Sequence, residues 1–448
     1  MPIALIVLAA GQGTRMNSDL PKVLHKIGGA PMFVHALESA RDLAPERVIL
    51  ITGHGAEAVE DAAKAYDEDL ICVRQDEQLG TGHAVLQAHG ALKDFDGDIL
   101  VLFGDTPFLT AGTLDNLVAA RTSADVIVLG FEASPDTRYG RFITDGERLK
   151  KITEWKDATE SERAITLCNS GVLLADRARL FELLSKVEPN NAQGEIYLTD
   201  VVELANAQRL TVGFTTCDES ETLGINTRAE LARAETLFQA RKRAEMLENG
   251  VTLLNPDSVI FAYDTAIGRD AIVEANVVFG PGVTIESNAV IRAFSHLEDC
   301  HVGDSAVIGP FARLRPGAEI SDDAHIGNFC EIKNAQVGVG AKINHLSYIG
   351  DADIGEKTNI GAGTITCNYD GVNKHRTIIG ANAFIGSDTM LVAPVKIGDR
   401  AMTGSGSVIT KDVPAGDLAL GRAQQVNKPG YGAKLMDMLR AAKAKRGK

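Results

Sequence analysis

At 448 residues the chain is too long for one ordinary hydrophobic core, so two large domains are expected. A hydrophobic fraction of 45% with 23% charged residues is that of a soluble globular protein. The net charge of -15 argues against a nucleic-acid-binding surface, and any anionic ligand must be met by local Lys and Arg working against that field.

Residues 2–10 form a short apolar run without a basic leader that enters a Gly-rich turn directly. It reads as a buried first strand and not as a signal peptide. Apolar strands follow at 4–9, 47–52, 99–103 and 126–131, alternating with helical stretches around 32–41, 56–66, 83–91 and 113–121. That alternation predicts a mostly parallel sheet with helices on both faces and ligands at the carboxyl ends of the strands. This Rossmann-like α/β domain is expected over 1–226. Residues 227–250 are rich in Ala, Glu, Arg and Leu and stop at Asn249-Gly250, which predicts one linker helix.

Residues 251–448 carry a different pattern. Leu, Ile or Val recurs at 302, 308, 314, 320, 326 and 332, then at 337, 343, 349, 354 and 360, and again at 379, 385, 391 and 397. A six-residue period fits neither a helix nor an alternating strand. It fits a parallel β-helix in which each hexad gives one short strand and a turn, and three hexads close a triangular coil. The aliphatic side chain points inward, and a following glycine (Gly303, Gly309, Gly327, Gly355, Gly361, Gly386, Gly398) clears the corner. The largest break in the register is 364–377, which a solenoid would eject as a loop. After Pro414 the pattern ends, and the basic tail from Leu435 is expected to be a solvated helix.

The six cysteines are scattered, as in a reduced compartment, and no segment is long enough to span a membrane, so a cytoplasmic chain is expected.

Three features point to chemistry. The first strand leads into Leu8-Ala9-Ala10-Gly11-Gln12-Gly13-Thr14-Arg15-Met16 and then Leu20-Pro21-Lys22. Two glycines after a strand let backbone N–H groups approach a polyphosphate, with Arg15 and Lys22 adding cationic charge. Met16 stands where a dinucleotide fingerprint needs its third glycine, and no P-loop Gly-Lys-Ser/Thr is present. Second, Asp105 ends a central strand, where it could hold a hard cation or merely cap the turn at Thr106-Pro107. Asn226 could likewise cap the linker helix. Third, Arg315 and Lys333 each follow an inward aliphatic residue and lie three hexads apart. They therefore stack on one edge of adjacent coils, which a shared phosphate explains, although two solvated cations remain the alternative. His345, two residues past an inward aliphatic, should face outward. His296, His301 and His325 are read as surface turn residues.

The first loop, together with Gln75-Asp76-Glu77-Gln78-Leu79-Gly80-Thr81-Gly82, Leu102-Phe103-Gly104-Asp105-Thr106-Pro107, Tyr139-Gly140-Arg141, Glu154, Asn169-Ser170-Gly171 and Asn226, resembles the sugar-1-phosphate nucleotidylyltransferases. The resemblance implies Mg²⁺ on Asp105 and Asn226. It implies UTP and its product held by Leu8, Ala9, Ala10, Gly11, Lys22, Phe103, Gly104, Asp105 and Asn226. Gln75, Gly80 and Thr81 are similar to the uracil-reading set; Glu154, Asn169 and Gly140 are similar to the sugar-binding set. The implied reaction is in-line attack of a sugar-1-phosphate on the α-phosphorus of UTP, with Arg15 and Lys22 neutralising charge.

With the β-helix, His345 and the Asn368-Tyr369 loop added, nearly the whole chain resembles the bifunctional uridyltransferase/acetyltransferases of bacterial UDP-N-acetylglucosamine synthesis. That resemblance implies a left-handed β-helix that binds acetyl-CoA and glucosamine-1-phosphate, and a homotrimer. His345 takes the role of general base toward the sugar amine. Arg315 and Lys333 take the sugar phosphate, and Tyr348, Asn359 and Lys374 the sugar. Ala362, Asn368, Tyr369, Ser387, Ser405 and Arg422 take acetyl-CoA. Three positions depart from the usual pattern: Phe103 replaces Tyr, Ser405 often-found Ala, and Gln12 a frequent Lys. A monofunctional nucleotidyltransferase whose β-helix only oligomerises or regulates is the main competing reading, and a non-enzymatic assembly scaffold the third.

Overall fold

Six apolar residues in succession at 3–8 make a stable strand only where both faces of a sheet are covered. The computed structural model, which describes residues 1–146 and 148–446, places Ile3–Leu8 in that setting, buried throughout. The strand lies between Arg47–Thr52 and Asp98–Phe103 and is parallel to both. The sheet runs Val212–Cys217, Val126–Glu132, Leu167–Asp176, Asp98–Phe103, Ile3–Leu8, Arg47–Thr52, Ile71–Arg74. Leu167–Asp176 is antiparallel to both neighbours, so the sheet is mixed where the alternating pattern predicts parallel strands. A hairpin of Arg141–Asp145 and Arg148–Thr153 extends it. Helices Met32–Ser39, Ala56–Tyr66, Thr81–Gln87 and Ala111–Ala120 occupy the four predicted helical stretches. Leu8 stands opposite Phe103, and the Gly104 N–H donates to the Leu8 carbonyl at 3.0 Å. The loops leaving these two strands therefore share one edge of the sheet, where a ligand crevice forms.

The chain divides into two compact units, Met1–Lys242 and Arg243–Lys448. The long helix Arg228–Glu248 begins in the first. Its Leu231, Ala234, Leu237 and Phe238 pack with Ile27, Met32, Phe108 and Ile225, so its first turns serve the core of that unit.

In the second unit the inward aliphatic residues are all buried, from Val302, Ile308 and Leu314 to Ile385, Leu391 and Ile397. Neighbouring coils pair as parallel strands with Leu314 on Ile332, Ile326 on Ile343 and Ile343 on Ile360. The glycines after the aliphatic positions serve stacking more than corner clearance. A Cβ on Gly327 would overlap the Asn344 carbonyl, and one on Gly361 the Ser387 backbone N. Coils can sit at strand spacing only where no side chain intervenes. His296, His301 and His325 lie in short strands and not in turns, because each precedes an inward aliphatic by one residue and takes the outward half of the pleat. The interruption after Thr364 is a small hairpin in which Tyr369 bridges Lys374, flanked by Ile365–Cys367 and Thr377–Ile379. The tail helix Tyr431–Arg446 is exposed along its length.

Ile343 is fully buried and stacked between Ile326 and Ile360. Ile343→Ala is expected to destabilise the solenoid by about 2–5 kcal/mol, read as a lowered urea midpoint.

Candidate functional site

The first loop builds its site through a lysine. Gly13 adopts φ 63°, and a Cβ there would overlap the Lys22 side chain. The second glycine of the loop thus admits the aliphatic stem of Lys22, whereas Gly11 borders open space. The Lys22 ammonium donates to the Asp105 carboxylate and, at 3.1 Å, to Asn226 Oδ1. Asn226 is free for this because its neighbour caps the helix. Thr227 Oγ1 accepts from the Glu230 N–H at 3.2 Å, while Glu230 Oε2 accepts from the Thr227 and Asn226 N–H groups. A carboxylate and a carboxamide oxygen thus converge on one cation, the donor chemistry a hard divalent ion requires.

Leu8, Ala9, Ala10, Gly11, Lys22 and Asp105 line one cavity of about 290 Å³ with Gln75, Gly80, Thr81 and Phe103. Gly104 is buried behind it, and Arg15 stands apart, exposed in the turn Thr14–Met16. Buried Gln75 donates from Nε2 to the Gly80 carbonyl at 3.1 Å and lies 3.1 Å from His83 Nδ1. Both amide hydrogens are then used within the protein, which leaves Oε1 as an acceptor for an N–H of a base. Gly80, at φ 107°, is pressed against Ile196, and Thr81 Oγ1 accepts from the Leu198 N–H at 3.1 Å. His83 and Ile196 carry no signal in the sequence, since each acts through a contact made only after folding.

A second cavity of about 430 Å³ is lined by Gly140, Glu154 and Asn169 and shares Thr81, Phe103 and Glu195 with the first. The Asn169 N–H donates to the Gly140 carbonyl at 2.9 Å, and Thr199 donates to Glu154 Oε1 at 3.2 Å. Burial pushes the Glu154 carboxyl above its usual range, with Asp200 and Asp157 adding to the effect. Burial first, then Glu203 and Asp157, push Asp200 up to about 6. Arg141 of the Tyr139-Gly140-Arg141 motif is fully buried and fixes the loop ahead of Gly140 through the carbonyls of Pro135, Thr137 and Tyr139. Trp155, Gln193 and Tyr197 also line this cavity and escape sequence reasoning, because they arrive from irregular segments without a motif.

In the solenoid, register creates two columns. Leu314 on Ile332 and Lys333 on Gly350 place Arg315, Lys333 and Gly350 on one edge of successive coils. Gly350 leaves a space that the Tyr348 hydroxyl fills. Lys374 reaches the same place from the hairpin. Its ammonium, ahead of partial desolvation and Arg315, holds the Lys333 pKa below the usual lysine range, with Asp351 opposing. Arg315 also pairs with Glu331 at 2.7 Å.

The second column starts at Asn328 and His345, which are register partners. Pairing of Ile343 on Ile360, Ile360 on Ile385 and Ile385 on Thr403 carries it on through Ala362, Ser387 and Ser405. His345 is exposed, and its Nδ1 lies 2.8 Å from Asn328 Oδ1. With that oxygen accepting the Nδ1 proton, Nε2 is left as an acceptor facing outward. Arg422 closes the far end by donating to the Ser405 carbonyl at 2.7 Å. Asn368 donates to Asp351, which also accepts from Asn334. Tyr369 is exposed on the hairpin. Asn359 sits apart from both columns, in register with Lys342 and Phe384.

Known proteins divide the chain in the same way. Residues 5–196 match the MobA-like NTP transferase domain. Residues 264–298, 299–334 and 376–411 match the bacterial transferase hexapeptide (six repeats), the signature of a left-handed parallel β-helix. The stretch those matches leave out, 335–375, contains His345, Tyr348, Asn359, Ala362, Asn368, Tyr369 and Lys374. Proteins named bifunctional protein GlmU from Jannaschia sp. (strain CCS1) and Ruegeria sp. (strain TM1040) are 60% and 61% identical, covering 100% of this chain and 98% and 100% of theirs. That of Roseobacter denitrificans is 62% identical over 99% of each chain. Identity of this order across both units shows that the chain belongs to the GlmU family of bifunctional proteins.

Proposed function

We infer that the two units perform consecutive transfers: the solenoid acetylates glucosamine-1-phosphate from acetyl-CoA, and the α/β unit joins the product to UMP from UTP. The chain is a bifunctional transferase, a uridyltransferase and an N-acetyltransferase of nucleotide-sugar synthesis. The observation that carries the residue assignments is the column that runs from His345 through Ala362, Ser387 and Ser405 to Arg422. Three strand spacings separate His345 from Ser405 by roughly 14 Å, a length suited to a flexible thioester arm laid over small side chains.

At the foot of the column His345 Nε2 accepts the proton released as the sugar amine attacks the thioester carbonyl. Asn328 holds the imidazole in the tautomer that can do so. Lys333, Arg315 and Lys374 hold the sugar phosphate, whose charge relieves their mutual repulsion. In the α/β unit, Gln75 Oε1 takes the N–H of uracil, Glu154 and Asn169 take the sugar, and backbone N–H groups at Gly11 face the phosphates. Asp105 and Asn226 are the oxygens that would hold Mg²⁺, which when bound neutralises phosphate charge during displacement. Lys22 supplies a further cation on the same phosphates.

The reading includes a homotrimer. Phe294, Phe311, Phe329 and Leu346 form an exposed apolar ladder along one corner, with ring centroids 4.9 and 5.3 Å apart, and it ends beside His345. A neighbouring solenoid that covered this ladder would also enclose the acetyltransferase site. No helix among the described residues is long and apolar enough to cross a membrane, and all six cysteines are free. A cytoplasmic location, where UTP and acetyl-CoA are made, completes the proposal.

The cation cluster gives a direct test. Lys333→Ala is expected to raise the KM for glucosamine-1-phosphate by roughly 10–100-fold with little change in the KM for acetyl-CoA. Lys333 is charged below its depressed pKa, so the KM for the sugar phosphate should begin to rise with pH earlier than for an ordinary lysine. An unchanged KM in the variant would remove the phosphate from this edge and leave the monofunctional reading standing.

A further inference from the structure

Lys22 sits where a metal should. Its ammonium is bonded to the Asp105 carboxylate and to Asn226 Oδ1, and its side chain is only 12% exposed. Both oxygens direct lone pairs at one point, and that point holds a monocation. A divalent ion must compete with it there, because it seeks the same two groups and is repelled by the ammonium. The stem of Lys22 is packed against Gly13, so the side chain has little freedom near the backbone and must swing at its outer carbons. The space available for that swing is the cavity it lines with Gly11 and Asp105, where the triphosphate is expected.

We propose that Lys22 is the resident counter-ion of the Asp105–Asn226 oxygen pair, and that the triphosphate withdraws it, so that metal and nucleotide load as a coupled unit. In the nucleotide-free protein Lys22 satisfies both oxygens and competes with a divalent ion. When the phosphates arrive they offer the ammonium a stronger, doubly anionic partner, and the oxygens are released. Linkage then requires reciprocity: metal tightens nucleotide by the factor that nucleotide tightens metal. This rests on the reading of Asp105 and Asn226 as the metal-holding residues, and the test separates the two.

The probe is Mn²⁺, titrated onto the full-length chain and followed by the loss of free-ion EPR signal, with and without an α,β-methylene analogue of UTP that cannot release pyrophosphate. Asp105→Asn supplies the background for Mn²⁺ held by the analogue alone. Wild type is expected to bind Mn²⁺ weakly by itself and at least about tenfold more tightly with the analogue. Lys22→Met keeps the stem and removes the ammonium; it should bind Mn²⁺ alone about tenfold more tightly than wild type and gain little more from the analogue. Arg15→Met removes one charge from the same loop without touching the oxygens and, without the analogue, should bind Mn²⁺ as wild type does. Equal Mn²⁺ affinity of Lys22→Met and wild type, each without analogue, overturns the counter-ion role while leaving the metal site intact. An equal gain in Arg15→Met reduces the effect to bulk charge and also overturns it. Analogue-loaded Asp105→Asn that binds Mn²⁺ as tightly as wild type overturns the metal assignment itself.

Discussion

Replacing Asp105 by alanine is expected to cut pyrophosphate release from UTP by roughly 10²–10³-fold or more while CoA release from acetyl-CoA continues at the wild-type rate. The carboxylate follows the central strand Asp98–Phe103 and accepts from the Lys22 ammonium, which also donates to Asn226. Removing it leaves the Lys22 ammonium with one neutral partner and takes away the anionic oxygen that a divalent ion needs. Coupled phosphate and thiol assays on the same preparation measure both activities. The second unit has its own core, so loss of thiol release in a folded variant would contradict two independent sites.

The mirror experiment is His345→Ala. CoA release with glucosamine-1-phosphate is expected to fall by roughly 10²–10⁴-fold, the contribution of a positioned general base, with pyrophosphate release unchanged. His345 is exposed and bonds through Nδ1 to Asn328, so its removal takes no side chain from the core. Asn328→Ala should show a smaller loss, because the imidazole remains but its tautomer is no longer fixed. A wild-type chain that releases no CoA with this substrate would end the acetyltransferase reading and return the monofunctional alternative. If both variants lost both activities while folded, the division of labour between the units would be wrong.

Much of the solenoid was legible because its core has one dimension. Each inward residue contacts the one a coil away, so a sixfold beat in the chain becomes a stack in space without further information. The beat alone placed Arg315 beside Lys333. It did not disclose that Lys374 joins them, because that lysine comes from a hairpin whose fold is set by its own turn, with Asp370 accepting from the N–H groups of Val372 and Asn373. Nor did the spacing of the glycines reveal their work. Overlap with the backbone of the next coil depends on coil separation, which exists only once the helix is wound.

In the α/β unit the sequence by itself determined the strand and helix order, through apolar runs and their interruptions, and the end of the sheet at which a ligand could lie. Motif order supplied Gln75, Asp105, Glu154, Asn169 and Asn226 as candidates, but not what they do to one another. Only the tertiary structure decided that Gly13 makes room for Lys22, that Thr227 rather than Asn226 caps the helix, and that His83 fixes Gln75. Local pattern is written in neighbours along the chain, whereas a lysine bridging residues 83 and 204 positions away is decided by where the folded backbone brings three oxygen and nitrogen atoms together.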